Sequence, residues 1–172
     1  MGSRALNTAA GLMAACLAPF ASGTTINNFH QVDAAVYRSG KPTPEQIAEL
    51  APLGIRAIVS LETYMMGPDD ADEEQAAAEA QGIKFLRVPM SPLPFERPSL
   101  DELLSALALT TDPANQPVLV HCYHGSDRTG LVIGAYHIKA HGWSADEAIA
   151  DMRNYGHGVL FYLWDELLYQ VE

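Results

Sequence analysis

The chain has 172 residues, of which 48% are hydrophobic, and a formal net charge of −11. That length suits one domain with a buried core, and no stretch is biased enough in composition for disorder. So acidic a surface repels polyanions and excludes nucleic acid and anionic membrane as natural partners.

Residues 1–23, "MGSRALNTAAGLMAACLAPFASG", stand apart. They carry Arg4, no acid, an Ala/Leu/Met run closed by Pro19, and the small residues Ala21, Ser22 and Gly23. This is the layout of a secretory signal peptide, with an apolar run too short to span a bilayer stably. A short N-terminal helix is the alternative. Cys16 faintly suggests a lipid-attachment site, although Met13 stands where that signal prefers leucine. The expectation is an exported, periplasmic protein with its catalytic domain over 24–172, or a cytoplasmic one if the segment is not a signal. Cleavage after Gly23 removes Cys16 and leaves Cys122 without an internal disulfide partner, so Cys122 is an inert buried residue or a reactive thiol.

From residue 34 onward, strand-like and helix-like stretches alternate. "AAVYRSG" (34–40) predicts a strand running into a turn. "TPEQIAEL" (43–50) predicts a helix with Thr43 as N-cap, Pro44 at the first helical position and Gln46 closing a capping box. "IRAIVSLE" (55–62) predicts a buried strand. "DDADEEQAAAEAQG" (69–82) predicts a helix that starts acidic and ends at Gly82, and "IKFLRVPM" (83–90) a third strand.

"SLDELLSALA" (99–108) predicts a helix boxed by Ser99 and Glu102. "PVLVHC" (117–122) reads as the fourth strand, followed by a helix from Thr129 to about His141. "SADEAIADM" (144–152) carries a third box, Ser144 with Glu147. The tail 160–170 places Leu160, Leu163, Trp164, Leu167 and Leu168 at helical spacing, which predicts a helix packed on the body. Such alternation implies an α/β fold with a mainly parallel sheet flanked by helices on both faces. Ligands then bind beyond the carboxyl ends of the strands, where Cys122 falls.

Between Cys122 and Arg128 lie Tyr123, His124, Gly125, Ser126 and Asp127. A loop this short, entering a helix N-terminus, can turn its N–H groups inward around an anion. Gly125 permits a positive φ or a close backbone approach. Arg128 can hold two phosphate oxygens in fork geometry. The same N–H groups and the positive helix end favour a thiolate on Cys122, and the Thr129 hydroxyl is near enough to donate to the sulfur. A tetrahedral anion held there faces a nucleophile, which is the arrangement for covalent phosphoryl transfer.

"HCYHGSDRTG", His121–Gly130, matches the HCxxGxxR[ST] signature at every fixed position, and the chain resembles the cysteine-based tyrosine and dual-specificity phosphatases. "VYRSGKPTPEQ", "GIRAIVSLE" and "GWSADEAIADM" extend the resemblance to the compact bacterial dual-specificity-like members. The resemblance implies a phosphatase-like fold, a phosphocysteine on Cys122 that water hydrolyses, and Arg128 binding phosphate in both steps. Tyr123, His124, Gly125, Ser126 and Thr129 would surround the substrate phosphate, with no metal or other cofactor. His121 would orient the loop and tune the sulfur.

The chain departs from the family pattern at the general acid. No aspartate occupies the usual loop in "PMSPLPFERPSLDE"; Glu96 could substitute, or Asp127 beside the loop arginine could serve, as in relatives with "DRT". Asp127 is favoured, because a bound phosphate and a nearby thiolate would raise its pKa. His30, His137, His141 and His157 read as surface or helix-end residues. Arg38 and Arg87, at strand ends, could add positive field or make structural ion pairs.

The expected partner is a phosphoprotein substrate, phosphotyrosine with phosphoserine or phosphothreonine as further possibilities, and the expected state a monomer. Three alternatives remain open. The first is an inositol-phosphate phosphatase of the same fold, although the loop's variable positions carry no Lys or Arg. The second is a rhodanese-like sulfurtransferase, whose loop is usually one residue shorter. The third is a non-catalytic phosphate-binding module.

Overall fold

A computed structural model describes residues 24–63 and 69–172. The signal-peptide segment, including Cys16, lies outside the described residues.

Five strands form one sheet: β1 (His30–Gln31), β2 (Val36–Ser39), β3 (Ala57–Ser60), β4 (Lys84–Arg87) and β5 (Val118–His121). Their spatial order is β1-β2-β5-β3-β4. Only β1 runs antiparallel, pairing His30 with Arg38 and Gln31 with Tyr37. In the parallel part, Val118 of β5 lies between Val36 and Ala57, and His121 between Ser39 and Ser60. The expected mainly parallel sheet is therefore present, with β1 added at its edge. Each predicted strand is shorter than its apolar run, because the flanking residues diverge into loops.

Side chains alternate across the sheet as the pleat requires. Tyr37, Ile58 and Leu119 join Ile47, Leu50, Ala78 and Ile83 in one core, beneath α1 (Pro44–Ile47) and α2 (Asp69–Ala80). Val36, Val59, Val118 and Val120 face the other way, toward α3 (Leu100–Thr111), α4 (Asp127–Tyr136), α5 (Ala145–Asn154) and α6 (Tyr162–Val171). Each fully buried aliphatic side chain contributes about 1.5–3 kcal/mol of transfer free energy, so two cores clamp the sheet from both faces.

The three predicted capping boxes, Thr43–Gln46, Ser99–Glu102 and Ser144–Glu147, all form in both directions. Gly82, with φ +71, ends the turn after α2.

Two helices differ from expectation. The predicted helix 129–141 is α4 followed by a π-helical turn, His137–His141, ending at Gly142 in the left-handed region. Within that turn His137 Nδ1 and His141 Nδ1 lie 2.9 Å apart, and His137 stacks on Trp143. In the tail, Trp164, Leu167 and Leu168 are buried as predicted, but Leu160 is 60% exposed. It belongs to a 3₁₀ turn (Val159–Phe161) that precedes α6, so the helical phase does not extend back to it. Among the described residues no helix is long and apolar enough to cross a membrane.

Candidate active site

Cys122 is the first residue past β5, and the chain turns there into α4. Its side chain is buried, and Sγ accepts a hydrogen bond from the Gly125 N–H at 3.3 Å. Gly125 has φ +76, and a Cβ there would fall 2.4 Å from the Ser39 carbonyl carbon and 2.5 Å from Gly40 N. The loop therefore rests directly on the backbone that follows β2. Gly40 and Lys41 close the contact: the Lys41 N–H donates to the Tyr123 carbonyl at 3.1 Å.

Arg38, the third residue of β2, supports the loop from inside. It is buried, its Nη2 donates to the Gly125 carbonyl at 2.9 Å, and its guanidinium lies 3.9 Å from the centroid of the Tyr155 ring. Burial lowers its pKa to about 10, against opposing influences from Tyr155 and Asp151. Arg87, at the end of β4, is exposed. His121 Nε2 lies 2.8 Å from Glu74 Oε1 of α2, both side chains fully enclosed, which ties the end of β5 to a helix on the opposite face.

Arg128, in the first turn of α4, is buried. Its Nη1 donates to the carbonyls of Leu61 and Met90 at 3.1 and 3.3 Å, and its Nη2 lies 2.5 Å from Glu62 Oε1. Leu61 and Glu62 follow β3 and Met90 follows β4, so the ends of two strands fix one guanidinium.

A cavity of about 780 Å³ opens over this arrangement. One wall is the loop itself: Cys122, Tyr123, His124, Ser126, Asp127 and Arg128. Phe161, Trp164 and Pro92 form an apolar wall, and Lys41 and Glu62 complete the rim.

The sequence-predicted residues divide accordingly. Cys122, Arg128, Asp127, Tyr123, His124 and Ser126 line the cavity; Gly125 and Thr129 do not. Gly125 instead packs on β2, and Thr129 Oγ1 is buried without a hydrogen-bond partner among the described residues. The expected donor to the sulfur is thus not Thr129 but the Gly125 N–H. Glu96 lies on an exposed loop, accepts from Ser91 Oγ at 2.7 Å and is not part of the cavity wall.

Asp127 is held from three sides. Its Oδ1 meets His157 Nδ1 at 2.9 Å and accepts from the Gly158 N–H at 2.9 Å, while Ser126 Oγ donates to Oδ2 at 3.1 Å. Burial raises its pKa, but these hydrogen bonds and the His157 charge outweigh it and hold the carboxyl below its ordinary value.

His157 is not the surface residue its sequence context suggests. It is buried, with Nε2 3.0 Å from Asp165 Oδ1, and the two carboxylates raise its pKa despite the opposing effect of burial. Sequence reading missed it, along with Glu62, Lys41, Phe161 and Trp164. Glu62 left a faint signal, as an acid at the end of a predicted strand whose carboxyl end faces the site.

A cysteine at the carboxyl end of a central parallel strand, a short loop, and an arginine in the helix that follows define the fold of the cysteine-based phosphatases. The tyrosine phosphatase family model matches residues 24–167, and the chain belongs to that family.

Among curated relatives it is 30% identical over 132 residues to the inositol diphosphatase DSP3 of Arabidopsis thaliana, covering 73% of this chain and 60% of the relative. It is 32% identical over 132 residues to the dual specificity protein phosphatase TpbA of Pseudomonas aeruginosa, covering 76% of this chain and 56% of the relative. The chain thus spans less than two thirds of the length of these relatives. The solved core catalytic domain of the PP-IP phosphatase SIW14 from S. cerevisiae, in complex with citrate, superposes with a TM-score of 0.70 at 28% identity, covering 83% of this chain and 86% of that one. A cysteine-to-serine variant of TpbA in complex with pTyr superposes with a TM-score of 0.61 at 26% identity, covering 76% of this chain and 75% of the other.

Proposed function

We propose that the protein is a cysteine-dependent phosphatase that hydrolyses phosphomonoesters on proteins, phosphotyrosine first, with phosphoserine and phosphothreonine as further substrates. The observation that carries this reading is the position of Cys122 Sγ in the wall of a cavity it shares with Arg128, with the Gly125 N–H already aimed at the sulfur.

Both Nη1 donors of Arg128 go to carbonyls, and Nη2 makes a close ion pair with Glu62. The Nε–H and Nη2–H edge of the guanidinium is the one that forms a two-pronged contact with a phosphate. Cys122 attacks phosphorus as a thiolate, the leaving oxygen takes a proton, and water hydrolyses the phosphocysteine. Asp127 is the proton donor of this reading because it lines the cavity and Glu96 does not.

The substrate class rests on the walls. Phe161, backed by the buried Trp164, and Pro92 offer apolar surface to an aromatic ring, and the TpbA variant holds pTyr. The inositol diphosphatase relatives favour a second reading, a polyphosphorylated inositol, but beside Arg128 and Lys41 the cavity carries the acids Glu62 and Asp127. Export to the periplasm is part of the proposal, supported by the character of residues 1–23 and by a family match that begins at residue 24.

The test compares phosphate release from phosphotyrosyl peptide, phosphoseryl peptide and inositol pyrophosphate by the wild type and Cys122→Ser. Peptide turnover abolished in the serine variant is expected. Inositol pyrophosphate cleaved far faster than peptide would replace the substrate assignment, and full activity in Cys122→Ser would remove the mechanism.

A further inference from the structure

His157 has no place in the chemistry above, yet it is buried beside the cavity and held at both ring nitrogens. It sits in the connection between α5 and α6, closed off from solvent, and bridges carboxylates from two different helices: Asp127 at the start of α4 and Asp165 in the first turn of α6. The groups facing it are few. Asp127 approaches Nδ1, Asp165 approaches Nε2, and the Phe161 ring lies 6.0 Å away. Arg153 of α5 reaches Asp165 Oδ2 at 3.9 Å, from the far side of that carboxylate. With acceptors at both ring nitrogens, the doubly protonated imidazolium is the form that satisfies every contact.

Asp127 shows the complementary feature. Three donors converge on its oxygens, and a carboxylate so held is a poor proton donor by itself. A proton available at Asp127 must therefore be drawn from its partners, and the one partner carrying an exchangeable positive charge is His157.

We propose that His157, clamped by Asp165, is a positioning residue for Asp127, and that the proton delivered to the leaving oxygen is stored on the His157–Asp127 pair. The inference rests on the reading of Asp127 as proton donor.

In the first step the sulfur–phosphorus bond forms and the ester P–O bond breaks. The Nδ1–H proton passes to Asp127 and from its carboxyl to the leaving oxygen, so an imidazolium–carboxylate pair becomes an imidazole–carboxylate pair. In the second step an attacking water returns a proton to the pair, and the electrons of the S–P bond return to sulfur. The pair gives and regains one proton per turnover. Gly158 N–H and Ser126 Oγ keep the carboxylate oriented throughout.

A merely structural clamp and a proton store differ in their dependence on the leaving group. An ester whose leaving oxygen is stable as an anion needs little proton transfer, whereas phenyl phosphate needs it fully. His157→Asn places an amide N–H near the Nδ1 position, keeping the contact to Asp127 without a titrating proton. The expected result is a fall of about 10²-fold in kcat on phenyl phosphate, with kcat on p-nitrophenyl phosphate changed by much less. Equal losses on both esters, or wild-type rates on both, would overturn the proposal.

Asp165→Asn gives an independent reading outside the cavity wall. Removing that charge makes the imidazolium less stable, so the basic limb of the kcat profile on phenyl phosphate moves to lower pH. A basic limb that stays in place overturns the proposal as well. Turnover by the wild type that vanishes in Cys122→Ser preserves the parent reading whatever these variants do; absence of wild-type turnover removes both.

Discussion

Replacing Gly125 with alanine tests the seat of the Cys122–Arg128 loop on β2. Two costs add. The backbone at φ +76 is a left-handed conformation, which costs an L-residue about 1–2 kcal/mol. The new Cβ would also meet Ser39 C, Gly40 N and Ser39 O at 2.4, 2.5 and 2.6 Å, when ordinary carbon contacts lie at about 3.5–4.0 Å. Those neighbours are backbone and cannot rotate aside, so the overpacking cost is about 1–3 kcal/mol and the total about 2–5 kcal/mol.

Relieving the clash requires the loop to retreat by about an ångström, a misplacement worth about 10²-fold in rate. Gly54→Ala isolates the first cost, since Gly54 has φ +78 and nothing within 4 Å of its Cβ. Urea unfolding of both variants, with kcat/KM on an aryl phosphate, is the assay. Gly125→Ala should be less stable than Gly54→Ala by about 1–3 kcal/mol and alone lose activity. Equal stabilities, or full activity in Gly125→Ala, would refute the reasoning.

Arg38→Met removes the hydrogen bond to the Gly125 carbonyl and the cation over Tyr155 while keeping much of the side-chain volume. The loss should be about 2–4 kcal/mol, read by thermal or urea unfolding, with weaker binding of inorganic phosphate or vanadate. The Asp127–His157 pair gives a pH dependence whose sign is fixed. Asp127 lies below its ordinary 3.8 in the folded state, so its contribution is present above that value and lost in acid. His157 lies above its ordinary 6.5, so its contribution is complete below that value and lost as pH rises through the folded pKa. The stability difference between wild type and His157→Asn should therefore be larger at pH 6 than at pH 9 in urea titrations, and an equal difference at both would exclude an ionic pair.

The parts of the site legible in the sequence are those written in local spacing. Cys122 and Arg128 belong to one continuous loop between a strand and a helix, and the three capping boxes each span four residues, so neighbours in sequence carry the whole signal. His157 was illegible for the opposite reason: Asp127 and Asp165 approach it from different helices, and nothing beside it in sequence marks it as buried. The two-residue β1 is too short to show alternation, and its identity depends wholly on its pairing with β2. Leu160 fitted the helical period of the tail, but the 3₁₀ turn before Tyr162 breaks the phase, which periodicity cannot see. Thr129 was expected to donate to the sulfur from its sequence position, yet its hydroxyl is buried without a hydrogen-bond partner among the described residues.

The last strand in the chain is also the middle of the parallel sheet, with Val118 seated between Val36 and Ala57. Assembly must therefore wait for two long-range pairings that carry high contact order, and both edges of the central slot have to exist before it is filled. The Cys122 sulfur reaches its place in the cavity wall beside Arg128 only when that insertion is complete. Regain of enzymatic turnover after dilution from denaturant should accordingly coincide with the slowest structural phase, later than the recovery of helical signal.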